Sequence, residues 1–367
     1  MPRSLSLYLD SLRFLAALAV YLFHAQYFAK VSVPLVGDLG NEAVIVFFVL
    51  SGLLISDSGR REPRLAAFVQ ARLTRLWSVC LPALALTVCC DLAGQYLSLA
   101  SYHPMQPFTP FKWAAALGIN ALFLNQIWHV SIYPGTNGPF WSMSYEFWYY
   151  MLFAALYYLK GYRRLWALVT GVLIAGPTIL TAFPIWLFGA ALCAAVARTP
   201  GDAASKGSGI GWICWGGSLA VALACAALGV QDWLKILFAH SAAAARWPVD
   251  FWPFSYLVGL LVALNIYGAA RLGERLLPLM EKCRAPIRWG AGISFGLYLF
   301  HYPLMYLCRA VLHALDVSSG AGFVAAMYLI PFAVAVSLAL LCERNKSFYA
   351  RRIGSLFDFA LRRHPQV

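Results

Sequence analysis

Long apolar stretches recur along the whole chain, and short clusters of basic residues separate them. Each stretch is about as long as the ~20-residue helix that crosses a lipid bilayer. The stretches are continuously apolar, whereas the strands of a membrane β-barrel alternate apolar and polar residues. We therefore predict an all-α fold, a polytopic integral membrane helix bundle of about ten transmembrane helices. The predicted spans are 7–28, 40–57, 77–98, 142–159, 164–181, 183–197, 210–229, 253–270, 290–313 and 321–342.

The basic clusters predict the orientation of the bundle. They follow the even-numbered spans, for example Arg60 and Arg61 after the second and Arg271 and Arg275 after the eighth. Short basic loops face the cytoplasm, so both termini are predicted to be cytoplasmic. Residues 111–127 are also apolar enough to span, but counting them would invert every later loop. We interpret them as a re-entrant or surface helix on the outer side.

Composition fits a membrane protein and narrows its partners. The 367 residues are 61% hydrophobic and 12% charged, with a mean hydropathy of +0.69. The net charge of +13 would suit a nucleic-acid partner, but the cations lie in short loops between spans. We therefore expect a lipid bilayer around the chain and no nucleic acid. The nine cysteines show no CxxC spacing, and no metal site is predicted.

The first predicted span contains two ionisable residues, Arg13 and His24. They are eleven residues apart, which puts them on one helix face about 16 Å apart along the axis. Asp10, three residues before Arg13, can reach it on the same face. Ionisable residues inside a membrane are costly and are functional candidates. Two plainer interpretations stay open: Arg13 as a snorkelling anchor at the helix mouth, and His24 as an interfacial histidine.

Three further stretches place polar side chains in or beside spans. Residues 137–150 contain Trp141, Ser142 and, about one turn inside the span, Glu146. Residues 293–309 contain Ser294, Tyr298 and, near mid-span, His301. Residues 68–77 contain Arg72 and Arg75, which share a helix face and could also be simple cytoplasmic anchors.

In this order, these stretches resemble the acyltransferase-3 family of polytopic membrane acyltransferases over about residues 5–350. Residues 10–24, "DSLRFLAALAVYLFH", look like the opening helix of that family, with its Arg-x10-His pattern at Arg13 and His24. The stretches "VIVFFVLSGLLIS", "FVQARLTRLW", "WSMSYEFWYY", "PIWLFGAAL" and "ISFGLYLFHYP" are similar to its later motifs. There are departures: Ser11 and Phe14 replace frequent glycines, Phe147 and Trp148 replace a Glu-Gln pair, and Phe295 replaces a tyrosine.

The resemblance implies an O-acyltransferase that moves an acyl group, most often acetyl, from cytoplasmic acyl-CoA to a hydroxyl of a carbohydrate. Such carbohydrates belong to the cell envelope or are exported, and lipopolysaccharide is one example. Acyl-CoA would be a co-substrate, with no bound cofactor. We expect a single membrane-embedded domain over residues 1–367, without an appended soluble domain, as a multi-pass protein of the inner (plasma) membrane.

With the resemblance, the polar residues acquire expected roles. Arg72 and Arg75, with Arg13 higher in the bundle, would bind the phosphates of the donor. His24 would be the general base, Glu146 would orient it, and His301 and Tyr298 would donate to the thioester oxyanion. Direct transfer and an acyl-enzyme intermediate both stay open. Composition alone would favour a secondary transporter, since intramembrane Arg, Glu and His also build proton relays. A transporter or flippase of a glycoconjugate that uses a His/Arg/Glu relay therefore stays the alternative.

Overall fold

The computed structural model describes residues 1–33, 39–97, 102, 109–197, 208–238 and 253–363. These residues form helices and short connections, with no strand among them. In chain order the helices are α1 Arg3–Ala29, α2 Gly40–Arg61, α3 Leu65–Leu97, α4 Pro110–Ala121, α5 Ser142–Tyr158, α6 Gly161–Ala197, α7 Ser208–Trp212, α8 Ser218–Ala227, α9 Val230–Phe238, α10 Pro253–Leu272, α11 Leu277–Lys282, α12 Arg284–Ala314, α13 Gly320–Arg344 and α14 Lys346–Arg363. The all-α class is therefore confirmed.

Seven helices in the described chain are long and apolar enough to cross a membrane. They are α1, α2, α3, α6, the stretch Gly209–Ala227, α10 and α13. The predicted spans 142–159 and 290–313 lie on the helices α5 and α12, which are not among these seven. The last residue of the predicted span 77–98 lies outside the described residues. Ten spans and cytoplasmic termini stay predictions.

Helix α6 covers two predicted spans, 164–181 and 183–197, and is broken at Gly176, inside the first of them. Gly176 has φ +73° and ψ 178°, a backbone conformation outside the helical region. A glycine without Cβ adopts this conformation readily, and Pro177 cannot donate a hydrogen bond back across the break. The chain therefore forms two helices here, as predicted, but they separate at residue 176, earlier than the predicted boundary between residues 181 and 183.

Helix α4 covers the first part of the stretch 111–127, which we interpreted as a re-entrant or surface helix. It begins with a capped turn, in which the Thr109 side chain accepts from the backbone N–H of Lys112 and proline occupies the first turn. Its 12 residues rise about 18 Å, well short of the ~30 Å hydrocarbon core. Turns follow from Leu122 onward. The interpretation of this stretch as a non-spanning helix fits these bounds.

The chain forms two compact units, each built from three stretches. The first unit contains Met1–Ala16, Asn41–Arg61 and Gly176–Ala291. Within it, α10 packs on α7 and α8, and Trp186 Nε1 donates to Ser51 Oγ at 3.1 Å. The second unit contains Ala17–Gly40, Glu62–Ala175 and Gly292–Val367. Within it, α3 is central and contacts α4, α5, α13 and α14. A single domain over the whole chain stays a prediction.

Candidate active site

Two histidines from distant parts of the sequence meet in the second unit. His24 Nδ1 on α1 lies 2.9 Å from His301 Nε2 on α12. His301 is fully buried, and its Nδ1 lies 2.9 Å from the carbonyl oxygen of Leu297, one helical turn earlier. His24 is partly exposed. The sequence marked both residues as candidates, and the structure brings their rings together.

The Leu297 carbonyl determines where the protons of this pair reside. A carbonyl oxygen only accepts, so His301 Nδ1 must carry a hydrogen. In a neutral imidazole the other nitrogen, Nε2, then has a lone pair and accepts from His24 Nδ1–H. His24 Nε2 is left as the nitrogen with the free lone pair. A backbone carbonyl thus determines the tautomer of His24 through His301, as hydrogen-bonded partners do for other functional histidines.

Aromatic rings enclose the histidine pair. The Tyr302 ring meets His24 edge-on, with ring centroids 4.7 Å apart. The Tyr21 ring meets His301 with centroids 5.8 Å apart, and the Tyr21 hydroxyl donates to the Tyr328 carbonyl at 2.8 Å. Edge-to-face arrangements of this kind are preferred between aromatic rings and add to the packing of the pair.

The motif at the start of α5 is attached to α12 through hydroxyl groups. The Ser142 and Tyr298 hydroxyls lie 2.9 Å apart, and Tyr298 Oη also donates to the Pro139 carbonyl at 3.1 Å. Both residues are buried, as is Ser294, one turn before Tyr298. Trp141 packs edge-on against Tyr145, with centroids 5.0 Å apart. Ser142 and Tyr298 are therefore positioned to hold the two helices together.

The two arginines of α3 form a second cluster with α5. Glu146 accepts a hydrogen bond from Tyr150, one turn along α5. The Glu146 carboxylate and the Tyr150 hydroxyl lie within electrostatic reach of Arg72 and Arg75. Arg72 also stacks over Phe68, 5.4 Å from its ring centroid. Glu146 was expected to orient His24, but the ring bonded to His24 is that of His301.

Arg13 and Asp10 belong to the first unit. Arg13 Nη1 lies 3.7 Å from Asp10 Oδ1, which confirms the expected pairing along one helix face. Asp10 also accepts from Arg288, which in turn donates to Ser6 Oγ at 3.2 Å. The sequence did not indicate Arg288 as a partner, because nothing in its spacing relates it to α1.

The sequence interpretation missed a buried carboxylate, Asp91, on α3. Asp91 is fully buried and accepts from Tyr102, from the Thr136 hydroxyl at 2.5 Å and from the Thr136 N–H at 3.0 Å. Burial and the nearby Asp91 carboxylate raise the pKa of Tyr102, which therefore stays a protonated donor. Asp91 lies inside a predicted span, so the rule that flagged His301 would also have found it.

In the described chain, no group of three or more His, Cys, Asp or Glu residues could hold a metal ion.

Comparisons with known proteins agree with the motif order. The family model described as "Acyltransferase domain", of the acyltransferase-3 type, matches residues 6–342. The chain is 32% identical over 192 residues to "Acyltransferase MdmB" of Streptomyces mycarofaciens, covering 48% of this chain and 47% of that protein. It is 26% identical over 202 residues to "O-acetyl transferase" of Shigella phage Sf6, covering 49% of this chain and 57% of that protein. The chain thus spans about half the length of these curated relatives, and no solved structure matches it significantly.

Proposed function

The chain belongs to the acyltransferase-3 family, and from this membership we propose that it is a membrane O-acyltransferase. It would transfer an acyl group, by preference acetyl, from acyl-CoA to a hydroxyl group of a carbohydrate. Seven helices of the described chain are long and apolar enough to cross a membrane, which supports a multi-pass membrane protein. One of its relatives has the name O-acetyl transferase, which supports the choice of acetyl and of an oxygen acceptor.

The observation that carries this proposal is the chain from Leu297 O through His301 to His24. It leaves the lone pair of His24 on Nε2, the atom that would remove the proton from the acceptor hydroxyl. The hydroxyl oxygen then attacks the thioester carbonyl and forms the new ester bond. The carbon–sulfur bond breaks, and the CoA thiolate leaves and takes up the proton from His24 Nε2.

We propose for His301 a different role from the one expected. Both of its nitrogens are engaged, one with Leu297 O and one with His24, so it orients the base and does not face the oxyanion. The Tyr298 hydroxyl donates to the Pro139 carbonyl and lies 2.9 Å from the Ser142 hydroxyl, so we propose that it holds α12 against the start of α5.

Arg72 and Arg75 would bind the phosphates of the donor near the cytoplasmic end of α3. A guanidinium offers a planar fork of N–H donors that suits phosphate oxygens. Glu146 and Tyr150 would hold these guanidinium groups in place through the electrostatic contacts described above. Acyl-CoA is thus proposed to enter from the cytoplasm, with the acceptor at the outer side of the inner membrane.

Labelled acetyl-CoA tests this function directly. Purified protein in nanodiscs is given acetyl-CoA labelled on the acetyl group, with cell-envelope glycans, and thiol release and glycan labelling are measured. The wild type is expected to turn over and His24→Ala to be inactive. His313→Ala, which changes an exposed histidine on the same helix as His301, is the matched control and should stay active. A wild type that neither binds nor consumes acetyl-CoA would refute the proposal and favour transport.

A further inference from the structure

Helix α12 contains a carbonyl group that the helix cannot satisfy in the regular way. Pro303 lies inside α12 and has no N–H, so the Leu299 carbonyl, four residues earlier, lacks its usual intrahelical donor. A buried carbonyl without a partner is costly, above all in a membrane protein. Leu299 lies two residues before His301 and two residues after Leu297, whose carbonyl accepts from the His301 ring.

Asn137 supplies the missing donor. Its side-chain Nδ2 donates to the Leu299 carbonyl at 3.0 Å and to Thr87 Oγ1 at 3.1 Å. Thr87 Oγ1 itself donates to the Ala83 carbonyl at 2.7 Å, so it acts as the acceptor toward Asn137. Since both neighbours are acceptors, it must be the NH₂ group of the Asn137 amide that faces them. Asn137 is fully buried, so water does not compete for these bonds.

The position of Asn137 is in turn determined by Asp91. The preceding residue, Thr136, donates to the Asp91 carboxylate through both its N–H and its hydroxyl. Gly135, at φ +61°, lets the chain turn against that carboxylate, where a Cβ would collide with Asp91 Oδ2. The Asn137 N–H closes the turn on the Pro134 carbonyl at 3.2 Å. A buried acid on α3 thus anchors the loop that presents the amide to α12.

We propose that Asn137 is a positioning residue for the histidine pair, acting on the turn of α12 that Pro303 leaves open. By fixing the Leu299 carbonyl, it holds the turn from Leu297 to Pro303 in the geometry in which His301 bonds both Leu297 O and His24. Without the amide, the turn would shift toward another donor, and the His24 hydrogen bond would lengthen. Asp91 and Thr136 contribute indirectly, because their hydrogen bonds hold the loop that carries Asn137. This inference rests on the proposed function of His24.

A double-mutant cycle tests the inference, because Pro303→Ala restores the missing N–H. Asn137→Leu keeps the side-chain size and removes the amide. In the wild-type background it should lower kcat about 10-fold while KM for acetyl-CoA changes less than about 2-fold. In the Pro303→Ala background the Leu299 carbonyl has its helical donor, so the same change should cost less than about 3-fold. If Asn137→Leu does not fold, Asn137→Ser takes its place, because a small hydroxyl leaves room at the same position.

Equal losses in the two backgrounds, or an unchanged kcat in Asn137→Leu, would overturn the inference. A second readout separates it from the proposed function. In ¹⁵N-histidine-labelled protein, with signals assigned through His24→Gln and His301→Gln, Asn137→Leu should shift the His301 nitrogen resonances, and Pro303→Ala should reduce that shift. Absence of turnover in the wild type would refute the function alone, and His301 resonances that do not respond to Asn137→Leu would refute the positioning role.

Discussion

Replacement of His301 by phenylalanine would remove the acceptor that orients His24 and keep an aromatic ring in the same space. The ring would still pack against Tyr21, so the helix contacts should persist. His24 Nδ1–H would lose the acceptor nitrogen of His301, which lies 2.9 Å away. The Val20 backbone, one turn earlier on α1, would then be the remaining hydrogen-bond partner of His24, and the ring would be held less firmly in the tautomer that leaves Nε2 unprotonated for catalysis.

The size of the effect follows from the cost of that lost partner. A neutral hydrogen bond contributes about 1 kcal/mol, and an unsatisfied buried donor costs about 1–3 kcal/mol. His24 is only partly buried, so the lower part of this range applies. The lower part of the range is about 1–2 kcal/mol, and each 1.4 kcal/mol of barrier is tenfold in rate, so kcat of His301→Phe should fall about 5- to 30-fold. The donor arginines are not involved, and KM for acetyl-CoA should change less than about twofold.

His301→Gln is the matched variant, because its amide oxygen can accept from His24 Nδ1–H near the position of the imidazole Nε2. It should retain activity within about fivefold of the wild type. The assay is release of CoA thiol at saturating and at limiting acetyl-CoA, on protein that elutes as a single species in detergent. Equal loss in the two variants, or full activity of His301→Phe, would contradict the relay from Leu297 to His24.

Three further predictions concern the donor cluster and the buried acid. Arg75→Gln should raise KM for acetyl-CoA about 5- to 10-fold, with kcat within about twofold of the wild type. The control Arg352→Gln removes an exposed cation on α14 and should change neither KM nor kcat. Equal effects of the two variants on KM would contradict the proposed binding of the donor by Arg75. Asp91→Ala leaves three buried donors without their acceptor: the Tyr102 hydroxyl, the Thr136 N–H and the Thr136 hydroxyl. It should lower the free energy of unfolding by about 3 kcal/mol or more, which is measured as a lower thermal midpoint. An unchanged midpoint would exclude the anchoring role of Asp91. Gly135→Ala should lower the thermal midpoint more than Gly229→Ala, because both glycines have φ +61° but only Gly135 faces the Asp91 carboxylate. Equal midpoints would show that both losses come from backbone strain and that contact with Asp91 adds nothing.

The sequence predicted the helical class well because each membrane helix needs about 20 apolar residues, a signal that is local in the chain. Helices α1, α2 and α10 begin and end within a few residues of their predicted spans. The break in α6 was misplaced because Pro177 and Pro184 offer two local signals, and the positive φ of Gly176 decides between them.

The candidate site was predictable as a set of residues and not as a set of contacts. His24, Glu146 and His301 were identified because ionisable groups in a membrane are costly. Which of them pairs with which depends on helix packing, and 277 positions separate His24 from His301. The sequence interpretation assigned Glu146 to His24, whereas the structure gives Glu146 a tyrosine donor and two arginine neighbours.

Pro303 illustrates a signal that is partly readable from sequence. A proline inside a helix has no N–H, so the carbonyl four residues earlier needs another donor. The Leu299 carbonyl could therefore have been identified from the sequence as a group that needs such a donor. The donor itself could not, because Asn137 lies 162 positions away and reaches α12 only through a loop anchored on Asp91. Since such a proline lies two residues from a candidate catalytic histidine, the group that completes its helix also controls the geometry of that histidine. Asn137 was found by the search for a buried amide donor opposite such a proline, and the cost of buried charge did not reveal it.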